Sequence, residues 1–103
     1  MIECDSLENV RKNIDRIDRE IVKLISERSS YVRQAARFKK TTADVKAPDR
    51  VEQVIATKRA YAKEIGLDPD MIERIYRTII SCFIDQELKE HESKKGKYND
   101  TRK

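Results

Sequence analysis

Arg28 stands where an apolar residue is expected. From Leu7 the chain places Leu7, Val10, Ile14, Ile17, Ile21 and Leu24, then Arg28, then Tyr31, Ala35 and Phe38. This alternating three-four spacing marks one stripe along a long helix, and every other member is apolar or aromatic. A guanidinium keeps its charge, so its burial is costly unless an anion meets it. Two structural readings compete with a ligand role. The stem of Arg28 can run along apolar surface with its head in water, or the head can pair with a carboxylate of the chain such as Glu27.

Three more charged residues are placed for the same chemistry. Lys39 follows Arg28 by eleven residues, close to three helical turns, so a helix continuing that far puts both on one face. Two long cationic side chains leaning together can grip one small anion. Arg11 precedes Arg28 by seventeen residues, roughly 26 Å along a helix, beyond reach of the same ligand from one rod. An antiparallel second copy would bring it near; alone, Arg11 reads as an ordinary solvated charge. Glu87 falls on the apolar face of the last helical stretch, behind Ile80, Phe83 and Ile84. Desolvation there favours the neutral carboxyl, which can donate a hydrogen bond where a carboxylate cannot. Glu87 fits equally as the end of the stripe or as a partner for a buried cation.

The elements that must position these groups are helical. Charged residues make up 41% of the 103 and apolar ones 38%, with two Gly and two Pro. That balance predicts one small all-α domain with narrow apolar seams. The first helix is expected from near Asp5 or Ser6, with Asp5 and Glu8 the better capping pair, to about Lys39. The segment from Thr41 to Lys46 breaks the pattern and reads as a loop. Pro48 opens a second helix that Gly66 should end, and Asp68 with Pro69 opens a third. A chain of three helices has a thin core, so the long seam of the first calls for a partner chain.

Other classes are excluded on composition and motif. The net charge of +4 comes from the last eleven residues, Ser93 to Lys103, which carry five basic residues and one acid and read as a frayed tail. The domain proper, residues 1–92, is nearly neutral. No aromatic interleaving or recognition motif supports nucleic-acid binding. His91 is the lone histidine, and Cys4 and Cys82 lie far apart, so neither zinc nor a disulfide framework is expected. Cys82 reads as a small core residue. No secretory signal or membrane span is visible, and a cytoplasmic protein is expected. Nothing in the chain suggests a covalent nucleophile.

The string LENVRKNIDRIDREIVKLISER, then RFKK, APDRV, and GLD before a helix ending FIDQELK, resembles the all-helical chorismate mutase family, with particular similarity to its isochorismate-pyruvate lyase branch. The resemblance covers about residues 5 to 91. It implies an intertwined homodimer of three-helix chains with two sites, small dicarboxylate substrates (chorismate or isochorismate) and no metal or organic cofactor. By position, Arg11 resembles the arginine that crosses from the other subunit to a substrate carboxylate. Arg28 resembles the arginine on the other carboxylate, and Lys39 the lysine that contacts a carboxylate and the breaking ether oxygen. Arg50 matches a rim arginine at the start of the second helix. Glu87 falls where the family has a Gln or Glu donating to the ether oxygen, and Ile84, on the same face, is expected to contact substrate.

Two departures bear on the reaction. Mutases of this fold often carry a carboxylate directly after the arginine equivalent to Arg50, for the ring hydroxyl. Here that residue is Val51, with Glu52 one position on, and Ala47 replaces a common acidic residue. Both changes resemble the lyase branch, whereas Glu87 in place of Gln resembles mutases that prefer acid. Rearrangement of chorismate to prephenate is the expected reaction. Release of pyruvate and salicylate from isochorismate is the alternative, and a non-catalytic helical interaction module is the alternative outside enzymes.

Overall fold

The computed structural model describes the backbone of residues 3–101 and the side chains of residues 3–92. Its helices are α1 (Leu7–Ala36), α2 (Thr42–Lys46), α3 (Pro48–Ile65) and α4 (Pro69–Thr101). The three long helices expected from the sequence are present, no strand occurs among the described residues, and α2 is an addition.

The chain divides into two units, Met1–Gln34 and Ala35–Lys103. In the first, α1 is capped by Ser6, not by the pair Asp5 and Glu8. Ser6 Oγ accepts from Asn9 N at 3.1 Å, and the first helical bond runs from Val10 N to Ser6 O. Asp5 instead accepts from the Asn9 side chain at 2.5 Å. The apolar stripe expected to be buried is open: Leu7, Val10, Ile14, Ile17, Ile21 and Leu24 are each between 39% and 62% exposed. No α1 residue is buried. The periodicity gives the helix, but a helical stripe sets a face without burying it.

Helix α1 also stops earlier than its stripe. It ends at Ala36, and Phe38 N and Lys39 N turn back to Ala35 O and Ala36 O. The next two amides would continue the helix by bonding the carbonyls of Ala36 and Arg37. Asp44 takes both instead: its Oδ2 accepts from Lys40 N at 3.1 Å and from Thr41 N at 3.2 Å. Thr41 Oγ1 accepts from Asp44 N at 3.1 Å, completing a capping box at the start of α2. The expected loop at Thr41 to Lys46 is therefore mostly a short helix. Lys39 is on a turn, not on α1, so the same-face relation expected with Arg28 does not hold.

In the second unit α2 and α3 both pack on α4. Its core is small: Val45 from α2, Ile55 and Ala62 from α3, and Ile80 from α4 are buried. Ala47 joins α2 to α3 in the left-handed region, at φ 35° and ψ 60°. A residue with a Cβ bears strain there, and it lets Pro48 open α3 in a new direction. Gly66 ends α3 as expected, at φ 85°, with Leu67 N bonded to Ala62 O at 2.8 Å, the Schellman arrangement. Asp68 then caps α4, accepting from Asp70 N at 3.0 Å. Cys82, expected in the core, is exposed. Its position in an apolar run does not place it on the packed face. Helix α4 continues to Thr101. The side chains of 93–103, and with them the expected basic tail, lie outside the described residues.

A charged ladder ties α3 to α4. Arg77 meets both oxygens of Glu52, at 3.1 and 3.0 Å, and Glu73 at 2.8 Å. Arg59 bridges Asp70 and Glu73, each at 2.9 Å. The Arg77 guanidinium, by hydrogen bond and charge, holds the Glu52 and Glu73 carboxyls below their ordinary value of 4.5. The folded chain therefore binds fewer protons than the unfolded chain just below that value. The ladder's contribution is full above it and is lost as pH falls through the lower folded values. We expect the midpoint of urea unfolding to fall between pH 5 and 3, and Arg77→Ala to flatten that slope. An equal slope in the variant would assign the acid sensitivity elsewhere.

Candidate active site

The sequence separates Lys39 and Glu87 by 48 positions, and the fold joins them. Lys39 Nζ lies 3.0 Å from one Glu87 oxygen and 3.2 Å from the other. Glu87 is the one buried charged residue among the described residues, at 8% exposure, as its place on the apolar face of α4 foretold. Lys39 is half-buried. An ammonium centred on both oxygens is the geometry of an ion pair, with Lys39 as donor and Glu87 as acceptor. The pair is shielded enough for its charges to matter, and open enough at Lys39 for an anion to reach the ammonium.

The remaining expected residues are placed as follows. Ile84 lies half-buried on α4, just under one turn before Glu87, and brings apolar surface to the same side of that helix. Arg50 is exposed in the first turn of α3 and donates to Gln53 Oε1 at 2.8 Å, the position of a rim residue. Arg28 is half-buried and Arg11 exposed, both on α1. Because α1 is continuous from Leu7 to Ala36, these two are roughly 26 Å apart along it. One straight helix cannot bring both to a single small ligand.

Two features of the site were not expected from the sequence. One is Asp44, whose hold on the backbone after Lys39 was hidden in the T-x-x-D spacing of Thr41 and Asp44, an available capping signal. Its carboxyl is held below its ordinary value, chiefly by the amides of Lys40 and Thr41, with the Lys39 charge adding to the effect. The other is the engagement of Glu52 with Arg77, which turns it toward α4. Glu52 is thus committed to the helix pair and does not substitute for a carboxylate at Val51. Among the described residues no group of three or more His, Cys, Asp or Glu is placed to hold a metal. No described helix is long and apolar enough to cross a membrane.

Taken together, the second unit offers one cation in a half-buried setting, one buried carboxyl paired with it, and the half-buried Ile84 on the same helix. Among its described residues no nucleophile is seen paired with a base. This suits binding and electrostatic stabilisation of an anion whose charge shifts during reaction.

Comparison with known proteins agrees with that chemistry. An isochorismate pyruvate lyase of Pseudomonas aeruginosa is 37% identical over 87 residues, covering 84% of this chain and 86% of its own length. A chorismate mutase of Methanocaldococcus jannaschii is 31% identical over 77 residues, 74% of this chain and 78% of its own. A bifunctional chorismate mutase/prephenate dehydratase of Aquifex aeolicus is 33% identical over 89 residues, 82% of this chain but 25% of that larger protein. Residues 10–88 match the family described as chorismate mutase type II, a span that holds all six expected site residues, and the chain belongs to that family.

Proposed function

We propose that this chain is a cytoplasmic chorismate mutase whose catalytic unit spans residues 1–92 and acts as an intertwined homodimer without metal or cofactor. The observation that carries the reading is the Lys39–Glu87 contact at 3.0 Å, which joins the two groups the rearrangement needs at its ether oxygen. A pericyclic step requires no covalent partner. The enzyme holds a flexible dianion in its reactive chair and meets the negative charge that grows on the ether oxygen as the C–O bond breaks. Arg28 binds one carboxylate. Arg11, supplied by the other subunit, binds the second. Lys39 donates to the ether oxygen, Ile84 packs on the ring, and Arg50 guards the rim.

The open stripe of α1 supports the dimer. Covering the exposed part of each of its six large apolar residues is worth roughly 1 kcal/mol per residue, a gain on the order of 6 kcal/mol per chain. A second chain lying antiparallel on this seam also resolves the separation of Arg11 from Arg28.

Glu87 changes role when substrate arrives. The incoming dianion competes for Lys39 and takes its ammonium from the buried carboxyl. A proton on Glu87 then faces the ether oxygen as a second donor. We expect Glu87→Gln, which keeps a donor at that position, to retain prephenate formation, and Glu87→Ala to lose about 10² in kcat. The kcat of the two variants checks this; equal losses would remove Glu87 as a donor.

Lyase chemistry on isochorismate is the second reading. It is favoured by Val51 and Ala47, by the engagement of Glu52 with Arg77, and by the 37% identity to an isochorismate pyruvate lyase. Pure protein given chorismate and isochorismate in parallel separates the two. The proposal expects prephenate to form faster than salicylate. Faster salicylate would reverse the order, and inactivity on both would leave a helical interaction module.

A further inference from the structure

We propose that Asp44 is a positioning residue that holds Lys39 against Glu87; this rests on the reading of Lys39 as the group that meets the substrate's ether oxygen.

The support runs in a closed circuit within one unit. Lys39 lies beyond the last residue of α1, on a turn whose own helix bonds have ended. A lysine with four rotatable side-chain bonds on such a segment has many places to put its ammonium. Its backbone is nevertheless fixed from both sides. Upstream, Phe38 N and Lys39 N bond the carbonyls of Ala35 and Ala36 at 3.0 and 3.2 Å. Downstream, Lys40 N and Thr41 N both donate to one oxygen of Asp44. Asp44 is in turn held by α2, where its own amide donates to Thr41 Oγ1. Helix α2 is anchored on α4 through buried Val45. Glu87 is on that same α4, so the circuit closes where Lys39 Nζ meets it.

Asp44 is the one side chain in this circuit that holds the backbone after Lys39 in its non-helical path. Without it two amides lose their acceptor, and the chain is released to extend α1 toward the carbonyls of Ala36 and Arg37. Extension by even one residue would rotate Lys39 by roughly 100°. A carboxylate accepts both amides at once, whereas alanine accepts neither. Glutamate at this third position of a helix also makes the reciprocal bond, so Asp44→Glu should restore what Asp44→Ala removes.

The test is a double-mutant cycle. Asp44→Ala should lower kcat/KM by about ten- to a hundred-fold, the cost of displacing a group by about 1 Å, with helicity by circular dichroism retained. Asp44→Glu should recover most of the loss. In a Lys39→Ala background Asp44→Ala should have no further effect, because there is no ammonium left to position. A loss of the same factor in both backgrounds, or no loss in the single variant, would overturn the proposal. A second measurement does not depend on activity. The 15N resonance of the Lys39 ammonium, slowed in exchange by its ion pair, should be visible in the unaltered protein, vanish in Asp44→Ala and return in Asp44→Glu. A resonance unchanged in Asp44→Ala would overturn the positioning role. Inactivity of the unaltered protein on both substrates, with the resonance behaving as expected, would instead defeat the mutase reading and leave the circuit standing.

Discussion

Lys39→Ala is expected to lower kcat for prephenate formation by about 10² to 10³, the usual cost of removing one donor aimed at developing negative charge. The loss should fall on kcat more than on KM. The ether oxygen carries little charge in bound substrate and most in the transition state, so the ammonium does its work there. Removal of one member of a buried ion pair also costs stability, about 3–5 kcal/mol, because Glu87 then lacks its ammonium. Unfolding must therefore be followed beside activity. Lys39→Arg separates the two effects. It keeps a cation for Glu87 and so keeps the fold, but its planar fork presents donors elsewhere, and we expect it still to lose at least about ten-fold in kcat. Full activity in Lys39→Arg, or a loss in Lys39→Ala confined to KM, would show that Lys39 only binds a carboxylate.

Two inactive variants should make an active enzyme when mixed. If Arg11 reaches the site of the other subunit, Arg11→Ala and Lys39→Ala damage sites in different combinations. A dimer with one chain of each has one site carrying both changes and one site carrying neither. Co-expression at equal levels makes about half the dimers mixed, so about a quarter of the unaltered activity should return. Each homodimer alone should show about 1% or less for Lys39→Ala and a raised KM for Arg11→Ala, since removal of a charge-assisted contact weakens carboxylate binding. The assay is best run at a substrate concentration below KM, where both homodimers are weak. Activity equal to the average of the two homodimers would mean that Arg11 serves its own chain's site or none. The same experiment tests the open seam of α1: chains that stay monomeric by ultracentrifugation cannot complement at all.

The relation between Lys39 and Glu87 gives the two results a common origin. The cation proposed to stabilise substrate rests on the carboxyl proposed to donate beside it. An anion must displace this contact to bind, which favours a dianion that replaces it with two others. The pair is largely shielded at Glu87 and partly at Lys39, a setting in which fixed charges act more strongly than in water.

Much of this protein is determined locally. Three long helices follow from three-four spacing, and their limits at Pro48, Gly66, Asp68 and Pro69 follow from backbone restraints that need no neighbour: a fixed φ, a tolerated positive φ, a side-chain acceptor for a free amide. The burial of Glu87 follows from its phase on α4, since a residue on the packed face is covered whatever its charge. Arg28 as the misfit of the α1 stripe, and the kinship carried by the ordered cations, are likewise visible in the residues alone. Tertiary structure decided what depends on competition between distant or alternative partners. Helix α1 ends at Ala36 because Asp44 captures two amides that the apolar pattern would have given to the helix. Cys82 is exposed and the α1 seam is open because periodicity sets a face but not what covers it. Glu52 is lost to any ring hydroxyl because Arg77, twenty-five residues on, holds it. The pairing of Lys39 with Glu87 could not be derived from their spacing, for a contact across 48 residues depends on the packing of α2 on α4 within the second unit.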